Sequence, residues 1–141
     1  MSAGWTVHKF GGTSLADTDR YRAACDIVLS QRSGERVSVV VSAMSGITNA
    51  LIESVSLAST HDDAYLQKLQ ALESRHLETI AALQLRDEQN LREAVVSDFS
   101  AIKEVLRGVW ITRLATERII EFVSGHGELI TRSQASPAVT I

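Results

Sequence analysis

Val7-His8-Lys9-Phe10-Gly11-Gly12-Thr13-Ser14 is an apolar strand end that runs into a lysine, two adjacent glycines and residues able to start a helix. β-Branched Thr6 and Val7, with aromatic Phe10, make Trp5–Phe10 a short strand. Gly11-Gly12 opens positive φ to the backbone and lets another molecule approach the main chain closely. Ser14 and Asp17 are N-cap candidates for the helix that follows. A helix N-terminus carries unpaired N–H groups and a partial positive charge, which suit an anion. Lys9 adds a full charge at the same turn. The spacing is neither the dinucleotide fingerprint nor a Walker loop, whose lysine follows its glycines. Two readings therefore stand together: a phosphate-handling turn, and a turn whose glycines serve geometry alone.

Outward from this turn, Tyr21, Ala24, Cys25, Val28 and Leu29 form one stripe of an amphipathic helix over Asp17–Gln31. Arg32-Ser33-Gly34-Glu35 closes it, with glycine where a helix C-terminus favours one. Arg36–Ser42 is a β-branched run that suits a strand buried on both faces, as in a parallel sheet. Strand, helix and strand make a βαβ unit. Ser42-Ala43-Met44-Ser45-Gly46 is a second small-residue turn, and Ile47–Ala58 reads as a helix behind it. If the strands are neighbours, both turns face one crevice at the strand ends, where open α/β sheets bind ligands. Ser42, Ser45, Thr48 and Asn49 would line it, although for any single one of them the cap or turn-former reading comes first.

His61-Asp62-Asp63 opens a long helical tract carrying Leu66, Leu69, Leu72, Leu77, Ile80 and Leu83. After a break near Arg86-Asp87, a cleaner stripe follows: Leu91, Val95, Phe99, Ile102, Leu106 and Val109. The two segments predict an antiparallel helical hairpin laid on the domain. His61 and His76 have no ligand-spaced partners and read as structural. A further helical piece, Leu114–Val123, leads into Ser124-Gly125-His126-Gly127-Glu128-Leu129. Glycine costs about 1 kcal/mol in a helix relative to alanine. Two of them therefore predict a helix end that brings backbone and Glu128 close to a ligand, or a C-cap. From Thr131 to Pro137 the periodicity dissolves, and no third strong strand, repeat or low-complexity tract follows.

The 141 residues suffice for one domain with a core. Apolar content of 45% with 22% charged residues is that of a soluble globular chain. A net charge of −3, with no basic tail, argues against nucleic acid as a partner. Apolar runs such as Val39-Val40-Val41 are far too short to cross a bilayer, and no signal pattern opens the chain. The single cysteine, Cys25, excludes an internal disulfide and a thiolate metal cluster; on an apolar helix face it reads as core filler. A reducing cytoplasm is the expected compartment. Two strands do not make a stable α/β sheet covered on both faces, so the sequence reads as the front of something larger.

Three motifs converge on one family. Lys9-Phe10-Gly11-Gly12-Thr13-Ser14 resembles the opening motif of aspartate kinases. Val39-Val40-Val41-Ser42-Ala43-Met44-Ser45-Gly46-Ile47-Thr48-Asn49 is similar to their second-strand motif, and Ser124-Gly125-His126-Gly127-Glu128-Leu129 to their third. Order and spacing agree across residues 5–130, while 131–141 diverge. Val7-His8 before the lysine, and the stretch from Ala115-Thr116-Glu117 to Gly127-Glu128, look most like the kinase part of fused aspartokinase–homoserine dehydrogenases.

The resemblance implies an α/β chain, the N-terminal part of the amino-acid-kinase fold: an open, mainly parallel sheet between helical layers, with an inserted helical hairpin. Residues 1–141 would be the incomplete N-terminal portion of one such domain. The implied reaction moves the ATP γ-phosphoryl group to the side-chain carboxylate of L-aspartate, giving 4-phospho-L-aspartate, the entry to lysine, threonine and methionine. That carboxylate, with a pKa of about 3.9, is ionised at neutral pH and needs no general base. Positioning and charge stabilisation then carry the catalysis. By resemblance, Lys9 neutralises charge on the transferring group, and Phe10, Gly11 and Gly12 form the ATP turn. Thr48 holds aspartate with Ser42 close behind, and Glu128 pairs with the substrate ammonium. Mg2+ is implied with ATP, with no metal ligand identifiable in this chain, and longer members are expected to be homo-oligomers. Ile130-Thr131-Arg132-Ser133-Gln134 departs from the family's usual continuation. The later glycine-rich turn and the adenine site would lie in a missing second half, so little kinase activity is expected of the chain alone. A non-catalytic anion-binding or interaction remnant, or another amino-acid kinase, are the alternative readings.

Overall fold

The computed structural model describes residues 4–31 and 36–139; the expected helix stop at Gly34 lies outside them. Strand β1 (Trp5–Phe10) passes through a 3-10 turn, Gly12–Leu15, into helix α1 (Thr18–Ser30). Asp17 caps α1: its carboxylate accepts from the Arg20 N–H at 2.9 Å. Strand β2 (Arg36–Val41) lies parallel to β1, in register from Trp5 opposite Arg36 to Phe10 opposite Val41. Helices α2 (Ile47–Ser59), α3 (Ala64–Leu83), α4 (Glu88–Thr112) and α5 (Glu117–Val139) follow.

Helix α2 is the hub, packing on α3, α4 and α5. Its stripe Ile47, Leu51, Val55 and Ala58 is fully buried, and the predicted α4 stripe from Leu91 to Val109 is buried in the same core. Helices α3 and α4 form the expected hairpin: Lys103 pairs with Glu73 while Arg92 reaches the Leu77 carbonyl, so the chains run antiparallel. The hairpin is not laid over a finished domain, however. With α2 it forms the main core, because the described sheet of two strands offers little apolar area of its own.

The sheet departs from expectation in the same way. Phe10, Val39 and Val41 face α1 and Ala135 of α5. On the opposite face Trp5, Val7 and Val40 are 64%, 63% and 47% exposed, so β2 is covered on one side only. The Arg36 guanidinium lies over the Trp5 ring at 5.6 Å. No described helix is long and apolar enough to cross a membrane.

The last helix also departs from expectation: it neither ends at the glycines nor dissolves after Thr131. It runs unbroken through Gly125 and Gly127 to Val139. Val123, Gly127, Ile130, Thr131 and Gln134 make one buried stripe in which glycine, threonine and glutamine stand where apolar residues are expected.

Candidate functional site

The parallel register sets the two small-residue turns side by side at the C-terminal ends of β1 and β2. The Ser42 N–H donates to the Phe10 carbonyl and the Ser45 N–H to the Gly12 carbonyl, each at 3.1 Å. A Cβ on Gly12 would stand 2.9 Å from the Ala43 carbonyl oxygen, so the neighbouring turn already uses the space this glycine leaves. Positive φ occurs at Gly46 (81°), the residue before α2, whereas Gly11 is extended with φ −79°. The Gly11-Gly12 pair is thus not a φ device. Gly12 permits turn-on-turn packing. Gly11 has open space where a Cβ would go, and nothing in the fold requires a glycine there.

Strand alternation separates the residues of the first motif. Lys9 lies on the uncovered face and is exposed, while the Phe10 side chain enters the core beneath the sheet. What Phe10 offers the turn is its carbonyl, which accepts from both the Ser42 N–H and, at 3.4 Å, the Ser42 hydroxyl. Ser42 therefore spends its hydroxyl on the joint between strands. Thr48 sits partly exposed in the first turn of α2, behind Gly46. The α2 N-terminus has no side-chain cap, which leaves its first-turn amides without that competitor.

Glu128 arrives from the other end of the chain. Beside it, Gly127 is buried against the start of α2: a Cβ there would meet Ile47 Cγ2 at 3.1 Å, Leu51 Cδ1 at 3.3 Å and Ala43 Cβ at 3.4 Å. This close approach explains one of the two helical glycines. Gly125 has nothing within 4 Å of a built Cβ, so the fold gives it no reason to be glycine. Glu128 is exposed, one residue beyond the Gly127 contact. The His126 ring lies tilted against Phe122, with ring centres 4.2 Å apart, and its Nδ1 lies 2.8 Å from the Phe122 carbonyl. Helix α5 and the second turn are locked together by Thr131, whose hydroxyl oxygen accepts from the Met44 N–H at 3.1 Å and donates to the Gly127 carbonyl at 2.9 Å.

Behind the turns a buried polar chain ties α1, α5 and α3. The Tyr21 hydroxyl donates to Gln134 Oε1 at 3.3 Å, and Gln134 Nε2 donates to His76 Nδ1 at 2.7 Å. The His76 proton then resides on Nε2, which has no partner. Burial, with the Arg75 charge adding, pushes His76 down to about 4, and burial pushes the Tyr21 phenol up. Both stay neutral at pH 7, His76 as the structural residue expected from sequence. Arg75, Thr131 and Gln134 escaped the sequence reading. Thr131 and Gln134 lie four and seven residues after Gly127, which continues the helical stripe once a glycine is allowed in it.

A depression of about 580 Å³ along α4, lined by Gln89, Arg92 and Glu93 among others, includes none of the predicted site residues. A smaller hollow of about 210 Å³, reached by Phe10, Ser14 and Arg20, adjoins the first turn. No group of three His, Cys, Asp or Glu able to hold a metal ion occurs among the described residues.

Residues 4–128 match the amino acid kinase family. The chain is 36% identical over 138 residues to bifunctional aspartokinase/homoserine dehydrogenase 2, chloroplastic, of Arabidopsis thaliana. It is 38% identical over 136 residues to enzyme 1 of that name from Zea mays. Each comparison covers 96% of this chain and 15% of the relative. Among solved structures, E. coli aspartokinase III in complex with lysine and aspartate (T-state) superposes with a TM-score of 0.78 at 30% identity. The match covers 94% of this chain and 28% of that one. The same protein in complex with aspartate and ADP (R-state) gives the same values.

Proposed function

The chain belongs to the amino acid kinase family, and on that footing we propose that it is the N-terminal portion of the kinase domain of an aspartate kinase. The domain would transfer the ATP γ-phosphoryl group to the β-carboxylate of L-aspartate. The observation that carries this reading is the joining of the two turns through Ser45 and Gly12, with α5 seated on the second turn at Gly127. Aspartate and ADP are bound by the solved relative, which supports these ligand classes.

In the proposed site, Gly11 and Gly12 offer backbone close to the phosphates, and Gly11 keeps the approach open. The exposed Lys9 ammonium meets the charge that develops on the transferring group. Thr48 holds the acceptor through its hydroxyl at the α2 N-terminus. Glu128 pairs with the substrate ammonium across the Gly127 contact. Ser42 acts behind them by joining the strand ends. The aspartate carboxylate attacks as the ion it already is, so the site needs orientation rather than a base. Mg2+ enters with the nucleotide in the family, and no step here runs through it.

We expect the longer protein to assemble as a homo-oligomer. A cytoplasmic location is proposed, against the chloroplastic relatives, and cell fractionation decides between them. Isothermal titration with aspartate and with ATP tests the central proposal. The chain is expected to bind both while showing little turnover in a coupled assay, with Glu128→Ala abolishing the aspartate heat and Lys9→Met weakening ATP. Binding of neither ligand would refute the reading.

A further inference from the structure

Arg75, on α3, reaches both turns at once. One guanidinium nitrogen donates to the Ser45 carbonyl at 2.7 Å and the other to the Ala16 carbonyl at 2.8 Å. Ser45 closes the second turn, immediately before Gly46. Ala16 follows the 3-10 segment that completes the first. The two acceptors are 29 residues apart in sequence, and a planar fork with fixed donor directions holds them at one separation. Lysine, with a single point charge, could not do so.

The fork has two further effects. Arg75 forms no ion pair among the described residues, so its half-buried guanidinium, shared between two carbonyls, adds positive charge behind the turns. A trans peptide also sends its C=O and N–H to opposite sides. Drawing the Ser45 carbonyl toward Arg75 therefore turns the Gly46 N–H away from it. His76, the next residue, is fully buried and bonded to Gln134, which anchors α3 at this level.

We propose that Arg75 is a positioning residue for the phosphoryl-transfer site: it clamps the two turns together, fixes the Gly46 amide and biases both turns toward an anionic ligand. This rests on the kinase reading of the turns. The test compares the chain with Arg75→Met and Arg75→Lys by amide hydrogen exchange, thermal unfolding and titration with ATP. In Arg75→Met the Ser45 amide, which bridges to Gly12, exchanges about tenfold faster or more, and ATP binds about tenfold more weakly, as loss of a charge-assisted hydrogen bond implies. Amides of α4 around Phe99 and Ile102 keep their rates. Arg75→Lys falls between, keeping charge but only one carbonyl. A folded Arg75→Met with unchanged Ser45 exchange and ATP affinity overturns the proposal, and so does acceleration spread evenly over all helices. Should Arg75→Met not fold, Arg75→Lys carries the same comparison. Should the unsubstituted chain bind neither ATP nor aspartate, the kinase reading falls, and with it the role given to Arg75. Wild-type binding with an indifferent Arg75→Met overturns the clamp alone.

Discussion

At the scale of single residues, the glycines divide by what stands where a side chain would be. Gly12 and Gly127 are required by packing against Ala43, Ile47 and Leu51, whereas Gly11 and Gly125 face open space. A helical glycine with no packing reason costs stability for something else. Gly125→Ala should therefore raise the melting temperature, by a gain of about 1 kcal/mol, while weakening aspartate binding. Unchanged aspartate affinity in that variant would leave Gly125 without a role at the site. The buried His76 makes a different prediction. Its folded pKa of about 4 lies below the 6.5 of an unhindered imidazole. Between those values the unfolded chain takes up a proton that the folded chain refuses. The stabilisation is complete above pH 6.5 and is lost as pH falls toward 4, on the order of 3 kcal/mol in total. Thermal unfolding from pH 7 to 4.5 should show that loss, and His76→Gln should flatten the profile over the same range. Equal acid sensitivity in the variant would place the responsible group elsewhere.

At the scale of elements, α5 is where stability and site meet, because one threonine holds it to the second turn. Thr131→Val removes the acceptor of the buried Met44 N–H while keeping shape, and should cost about 1–3 kcal/mol. Denaturant unfolding measures it, and a change under half a kilocalorie per mole would mean that another group accepts that amide. The same helix marks where reading from sequence stopped. The βα turns, the capping aspartate and the α4 stripe were legible because local spacing encodes them. Helix α5 is not legible in the sequence because its buried face carries Gly127, Thr131 and Gln134, whose polar groups are satisfied by Met44, Tyr21 and His76. Those partners lie on other elements, and no local pattern announces them. For the same reason Arg75 was invisible: its importance lies in two carbonyls distant in sequence. The β2 valines suggest burial on both faces because they look alike in sequence, although only Val37, Val39 and Val41 pack on the core.

At the scale of the whole molecule, a helical core around α2 carries a small parallel sheet whose ends hold the proposed site, and the chain spans 15% of the length of the plant relatives it matches. In the proposed site the two strand-end turns and the α5 segment form one ligand-responsive surface. Amide NMR spectra of the 141-residue chain, titrated with ATP and then with aspartate, test that most directly. The prediction is that ATP shifts the amides of Gly11 and Gly12, and that aspartate shifts Thr48 and Glu128 together, with the outer face of α4 silent. Shifts confined to that α4 face, or no shift at Gly11, Gly12, Thr48 and Glu128, would contradict it.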